Sequence, residues 1–440
     1  MELITKAIRG TQDVLPEESH KWQHIEQTAL AVARDYGYRE LRTPVFEHTE
    51  LFMRGVGETT DVVQKEMYTF KDKGDRSITL RPEGTAGAAR CLLEHSLHNG
   101  ALPVKAAYIT SCYRYEKPQA GRLREFHQFG AECFGAAAPQ ADAEIIALAR
   151  TVLTTLGVTG VSLHINSIGC PTCRANYHKA LTDYFAARQD ELCGTCQERL
   201  GRNPMRILDC KSPICKEIAT GAPVMLDYLC DDCAAHFEEV RACLDTAAIP
   251  YEVDTGIVRG LDYYTRTVFE FVSDALGAQA VVCGGGRYDG LIEELGGPHL
   301  PSLGFAIGLE RLLMVLEAKE AEFPEPPTCE VYFAPMGKEA VRACFGMATR
   351  LREVGIAAEY DIAGRGLKAQ MKYADKLGAR YTLVVGDNEL ATGKAQLKDM
   401  TTGETQEVGL DDSLYTTLYN KALDRQLAGM ADLLGGMEEE

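Results

Sequence analysis

The chain has 440 residues, 45% apolar and 25% charged, an ordinary globular composition with room for about three domains of roughly 150 residues each. Its 46 basic and 64 acidic residues leave a net charge of −18, which excludes a protein that coats nucleic acid by bulk charge but not one that grips an RNA through local basic patches. No apolar run approaches the ~18 residues of a membrane span, and the opening stretch MELITKAIRGTQDVLP lacks the apolar core of a secretory signal, so a soluble cytoplasmic protein with its 15 cysteines reduced is expected.

Lys21 to Tyr36 reads as a helix, with Trp22, Ile25, Ala29 and Val32 at 3–4 spacing. Val104 to Tyr113 and Glu125 to Phe134 alternate as two strands joined by a turn around Pro118 and Gly121. Asp142 to Leu156 returns to helical spacing, and Gly157 stops it. A second strand-rich part runs from about 250 to 307, followed by a helix from Gly308 to Ala318. Phe323-Pro-Glu-Pro-Pro327 is a break, and a domain boundary is expected there. Beyond it strand and helix alternate: strand Glu330–Ala334, helix Lys338–Val354, strand Ala357–Asp361, helix Leu367–Leu377, strand Tyr381–Val385. The first of these helices is expected to turn Val341, Cys344, Phe345, Ala348 and Leu351 inward. Residues 361–380 hold five basic residues (Arg365, Lys368, Lys372, Lys376, Arg380) against Asp361 and Asp375. A solvated helix face explains that run; an RNA patch is the sharper alternative. The division expected is 1–325, interrupted by a cysteine-rich insert at 170–240, then an α/β domain at 329–425 and an acidic tail at 426–440.

Eight of the cysteines fall in the insert, as Cys170-x2-Cys173, Cys193-x2-Cys196, Cys210-x4-Cys215 and Cys230-x2-Cys233. A lone CxxC says little, but clustered pairs can supply the four thiolates of a tetrahedral zinc site. Two sites, one site with spares, or reduced cysteines acting as small hydrophobes all fit, and spacing leaves the pairing open. The same segment has a basic cluster of Arg199, Arg202, Arg206, Lys211 and Lys216.

The usual phosphate cradles are missing. Gly337-Lys338 and Gly393-Lys394 are followed by Glu and Ala rather than Ser or Thr, and Gly284-Gly285-Gly286 has Asp289 where a dinucleotide fingerprint needs glycine. Arginines on an antiparallel sheet are another way to hold a nucleotide, because the guanidinium fork matches phosphate oxygens. Arg114 closes the first hairpin strand, with Glu116, Arg122 and Arg124 on the loop after it. In the returning strand, period two puts Phe126, Gln128, Gly130, Glu132 and Phe134 on one face, a polar pocket floor between apolar rings. Arg259 precedes Tyr263 and Tyr264, and Arg311 falls in the first turn of a helix, where the dipole favours an anion. Singly, each arginine is better explained by a surface ion pair; their joint sequence context changes that.

Leu80–Thr85 (LRPEGT), Tyr113–Glu116 (YRYE), Phe126–Glu132 (FHQFGAE), Arg259–Tyr264 (RGLDYY), Gly284–Asp289 (GGGRYD) and Gly304–Arg311 (GFAIGLER), with Ile8–Pro16 (IRGTQDVLP), resemble the histidyl-tRNA synthetases, a class II aminoacyl-tRNA synthetase family, over nearly the whole chain. The resemblance implies an α+β fold: an antiparallel catalytic sheet flanked by helices, the inserted cysteine-rich helical module, and a C-terminal α/β anticodon-binding domain. It implies activation of histidine by ATP with Mg2+, then transfer to histidine tRNA, by a homodimer. Carried over by motif, Glu83, Thr85, Gln128 and Glu132 bind histidine, and Tyr263 and Tyr264 meet its imidazole. Arg114, Glu116 and Arg311 hold ATP, Arg259 stabilises charge at the α-phosphate, and Lys117, Gln119 and Arg122 reach the tRNA. Lys117 departs from the family, where arginine is common; lysine cannot make the same bidentate base contact. Any zinc on Cys170, Cys173, Cys193, Cys196, Cys210, Cys215, Cys230 and Cys233 is expected to be structural. The rival reading is a regulatory subunit of ATP phosphoribosyltransferase, a paralogue that senses histidine, generally without the anticodon-binding domain.

Overall fold

The computed structural model describes residues 4–57, 60, 62–201, 203–208, 210, 212–257, 263–275, 281–326 and 328–435. The chain divides into two units, Met1–Pro324 and Glu325–Glu440. In the first, α1 (Pro16–Asp35) starts on a proline at its first position, where no N–H is lost, and buries Trp22, Ile25, Ala29 and Val32 along one stripe. After β1 (Arg39–Glu40) come a small antiparallel sheet of β2 (Phe46–His48), β3 (Thr69–Lys71) and β4 (Ser77–Leu80), with α2 (Thr49–Val56) between its first two strands. Then follow α3 (Thr85–Glu94), the hairpin β5 (Val104–Tyr113) and β6 (Glu125–Phe134), α4 (Pro139–Thr155) and β7 (Val161–Ser167).

The insert leaves the sheet after β7 as α5 (Pro171–Ala186), α6 (Gly194–Leu200), α7 (Met205–Leu208) and α8 (Pro213–Ala219), and returns through α9 (Asp231–Thr246). β8 (Glu252–Val253), β9 (Thr265–Ser273), β10 (Val281–Arg287), α10 (Leu291–Glu294), β11 (Ser302–Gly308) and α11 (Leu309–Ala318) complete the unit. The main sheet has eight strands in the order β1-β5-β6-β11-β10-β9-β7-β8, antiparallel except at its two short edge strands. One face carries the principal core, built with α1, α4, α9 and α11. The other holds a smaller core of Tyr108, Phe134, Tyr263, Tyr264 and Tyr288 beside α3 and α10.

The second unit has β12 (Val331–Pro335), α12 (Lys338–Glu353), β13 (Ala358–Tyr360), α13 (Leu367–Lys376), β14 (Tyr381–Val385), α14 (Asp387–Thr392), β15 (Lys394–Asp399), β16 (Thr405–Gly409) and α15 (Asp412–Gly435). Its sheet order is β13-β12-β14-β15-β16, parallel in the first three and antiparallel thereafter. Val331 and Phe333 face α12, while Tyr332 and Ala334 face α13, so β12 is apolar throughout because both its faces are covered.

Two expectations shift here. The buried stripe of α12 is Ala340, Cys344, Met347, Ala348 and Leu351, whereas Val341 and Phe345 are 39% and 55% exposed. Both stripes satisfy the helical period; the position of the sheet decides which shoulder is covered, and Phe345 instead meets the edge of Tyr360. The boundary expected at residue 425 falls inside α15, which runs on to Gly435. Among the described residues no helix is long and apolar enough to cross a membrane.

Candidate active site

The floor of the site is set by strand pairing. Glu132 of β6 lies opposite Ala106 on β5 and Gly304 on β11, and is wholly buried. Glycine is required around it for space. A Cβ at Gly304 would lie 1.8 Å from Glu132 Oε2, and one at Gly84 or Gly130 would lie 2.3 Å from the Tyr108 ring. The room so made lets hydroxyls converge on the carboxylate. Tyr108 and Thr85 each donate to Oε1 at 2.8 Å, and Tyr288 donates to Oε2. Burial nonetheless pushes the Glu132 carboxyl up to about 8.

Glu83 is also buried, at the start of α3, where its two oxygens accept the Thr85 and Ala86 N–H groups at 2.8 and 2.7 Å. These are otherwise orphan donors at the positive end of a helix, which is why a carboxylate persists there. Burial raises its pKa and the two N–H bonds oppose the rise. Tyr263 and Tyr264 stand beside these acids, with ring centroids 4.7 Å apart, and Tyr288 lies 5.4 Å from Tyr263.

The hairpin loop brings the cations. Its tip is closed by mutual backbone bonds between Gln119 and Arg122. Arg114 donates to the Pro82 carbonyl at 2.9 Å and lies over the Phe126 ring, while Arg122 pairs with Glu116 at 3.1 Å. Arg311 donates to the carbonyls of Gly121 and Val281 at 2.9 and 3.0 Å, which fixes its guanidinium. Burial, and then Arg122 and Arg114 nearby, hold the Arg311 pKa below its ordinary value. Like charges gathered under partial burial are stabilised by an incoming anion.

One cavity is lined by Glu83, Thr85, Arg114, Glu116, Arg122, Gln128, Tyr263, Tyr264 and Arg311; Glu132 does not line it and is joined to it through the hydroxyls of Thr85 and Tyr288, which do. Lys117 and Gln119 are exposed on the loop and do not line it. Arg259 lies outside the described residues, as do Arg202 and Lys211 of the basic cluster. Sequence reasoning missed Tyr108, whose only signal was its place on the strand opposite Gly130. Tyr288 and Glu310 lie within the motifs GGGRYD and GFAIGLER, whose pattern by itself assigns neither a part. Glu310 accepts the His127 backbone N–H at 2.9 Å and lies 2.9 Å from His127 Nδ1, tying α11 to β6 at the cavity wall.

The eight insert cysteines form two tetrads, Cys170/Cys173/Cys230/Cys233 and Cys193/Cys196/Cys210/Cys215, with the sulfurs of each within 4.8 Å of one another. Four sulfurs at ~2.3 Å from a tetrahedral zinc lie about 3.8 Å apart, whereas a disulfide needs about 2.05 Å. The observed separations of 3.5 Å (Cys170–Cys173), 4.0 Å (Cys170–Cys230) and 3.8 Å (Cys193–Cys210) fit the metal.

A sheet of this order, holding buried carboxylates and arginines in place of a glycine-rich phosphate loop, is the platform of a class II aminoacyl-tRNA synthetase. Family comparison agrees: the model described as histidyl-tRNA synthetase matches residues 10–172 and 218–312, and the anticodon binding domain matches residues 330–416. Histidine–tRNA ligases of Acetivibrio thermocellus and Caldanaerobacter subterraneus are 55% and 54% identical, each over 93% of this chain and 98% of their own. The crystal structure of apo S. aureus histidyl-tRNA synthetase superposes with a TM-score of 0.81 at 41% identity, covering 94% of this chain and all of that one. The chain belongs to the histidyl-tRNA synthetase family, and its activity is that of a histidine–tRNA ligase. The anticodon-domain match separates it from the regulatory-subunit reading.

Proposed function

We propose that the cavity joins histidine to ATP and then passes the histidyl group to the 3′ end of histidine tRNA. Supporting this reading is one observation: acceptors for an ammonium group and arginines for phosphates share a single cavity. Glu83, Thr85 and Glu132 take the ammonium of histidine, with Gln128 beside them, and Tyr263 and Tyr264 meet the imidazole. Arg114, Glu116 and Arg311 hold the nucleotide. In the first step a carboxylate oxygen of histidine forms a bond to the α-phosphorus as the bond to pyrophosphate breaks. No proton need move; the barrier is the approach of two anions, which fixed guanidinium groups lower. Arg259 is assigned the charge that develops at the α-phosphate. Mg2+ bound with the nucleotide supplies further neutralisation, and Glu116 and Glu310 in the wall are the hard oxygen donors that fit it. In the second step a terminal hydroxyl of the tRNA attacks the histidyl carbonyl and AMP leaves.

Residues 1–325 act as the catalytic domain with its insert at 170–240, and the chain from 329 through the end of α15 as the anticodon-binding domain. Lys117, Gln119 and Arg122 approach the tRNA acceptor end. Zinc in the insert is structural, since no cysteine of either tetrad lines the cavity. The working protein is a homodimer in the cytoplasm, where tRNA is charged. The test is histidine-dependent ATP–pyrophosphate exchange without tRNA, alongside charging of histidine tRNA. Both are expected for the wild-type chain, and Arg259→Ala should slow exchange by about 100-fold or more. Exchange at the wild-type rate in that variant would remove Arg259 from the reaction.

A further inference from the structure

We propose that the two cysteine tetrads each bind a zinc ion and have unequal duties: the one at the neck of the insert also positions the histidine site, through His236, Asp142 and Arg287. The internal tetrad serves the insert alone.

The difference begins with chain order. Cys193, Cys196, Cys210 and Cys215 all lie within the insert, among α6, α7 and α8. Cys170 and Cys173 instead lie where the chain leaves β7, and Cys230 and Cys233 where it returns into α9. An ion on these four closes the loop at its base. Cys170 and Cys230 precede the first residues of α5 and α9, and Cys173 and Cys233 sit in the first turns, so helix N-termini face the thiolates. The Cys230 N–H donates to Cys173 Sγ at 3.1 Å, which ties one pair to the other.

From Cys233 the route inward is short. His236 is three residues along α9, on the same face of the helix, and is buried. The Arg266 guanidinium lies 3.0 Å from His236 Nδ1. A guanidinium has donors only, so Nδ1 is the acceptor of a neutral imidazole and Nε2 carries the proton. That N–H points at Asp142 Oδ2, 3.2 Å away. Asp142 in turn receives Arg287, which is wholly buried and also donates to the Ala136 carbonyl at 2.7 Å. Arg287 is followed by Tyr288, whose hydroxyl donates to Glu132. The contacts His236–Asp142, Asp142–Arg287 and Tyr288–Glu132 are buried and polar, with one turn of α9 and the Arg287–Tyr288 backbone carrying the steps between them, and a buried charge left without its partner forces rearrangement. His236, Asp142 and Arg287 touch no substrate; they are positioning residues.

The inference rests on the reading of Glu132 as acceptor for the histidine ammonium, and that reading fails by itself if Glu132→Gln keeps wild-type histidine affinity. The experiment measures zinc content and the histidine dissociation constant of the full chain, purified without chelator. Wild type should hold two zinc ions. Cys193→Ser/Cys196→Ser should lose one and bind histidine as wild type does. Cys230→Ser/Cys233→Ser should also lose one, yet weaken histidine by about tenfold or more. His236→Ala should keep both ions with a similar loss of affinity, and His236→Gln, which retains a donor for Asp142 and an acceptor for Arg266, should recover part of it. A wild-type chain without zinc, equal histidine affinities in the two cysteine variants, or a His236→Ala chain binding histidine normally would each overturn the proposal.

Discussion

Glu132 is where the chemistry of this chain is most concentrated. Its carboxyl is wholly buried and raised to about 8, although three hydroxyls donate to it. A raised carboxyl pKa means the folded protein holds a proton that the unfolded chain releases above its ordinary range. This group's contribution to stability therefore falls as pH rises from about 4.5 to 8. An ammonium placed against Glu132 reverses the preference and expels the proton. Histidine binding near pH 7 should accordingly release part of a proton, seen as a binding heat that depends on the ionisation enthalpy of the buffer. Glu132→Gln should abolish that dependence and weaken histidine by roughly 10- to 100-fold, the range for a hydrogen bond to a charged group. A buffer-independent heat in the wild type would show that the carboxyl is already ionised.

At the scale of elements, the β5–β6 hairpin was legible because two strand-like runs flank a turn around Pro118 and Gly121, and its ends agree with the expected Val104–Tyr113 and Glu125–Phe134. The α12 face was not, because helical period alone allows two shoulders and only the sheet beneath chooses. Sheet register produces a sharper consequence at Gly304, which pairs with Glu132. Gly304→Ala puts a methyl group where the carboxylate stands, at a cost of about 1–3 kcal/mol for overpacking. The expected result is a lowered thermal midpoint together with loss of histidine-dependent exchange; exchange at the wild-type rate would mean that Glu132 can move without consequence. On α13 the basic run is partly spoken for. Arg365 pairs with Asp361 at 2.7 Å and lies over the Tyr373 ring, while Lys368, Lys372 and Lys376 are exposed at i, i+4 and i+8. Lys368→Glu with Lys372→Glu should raise the KM for tRNA more at low salt than at high, and leave pyrophosphate exchange alone. An unchanged tRNA KM would return this face to the role of a solvated surface.

For the whole molecule, each unit has its own core, so the two can be separated as a test of function. Deleting residues 329–440 should spare adenylate formation and weaken tRNA charging; unchanged charging would take the anticodon role away from that domain. The amino-acid sequence by itself determined the class of fold, through local period and through motifs that resemble a known family, and that resemblance named nine of the side chains that line the cavity. It could not determine how the eight cysteines pair, since spacing within each CxxC says nothing about which distant pair the chain brings back. Nor could it show Tyr108, Tyr288 and Thr85 converging on one acid, or Asp142 lying between His236 and Arg287. Those arrangements join residues far apart in the chain, and burial gives them their energetic weight: a carboxylate is costly without partners only once water is excluded, and that exclusion exists only in the folded sheet.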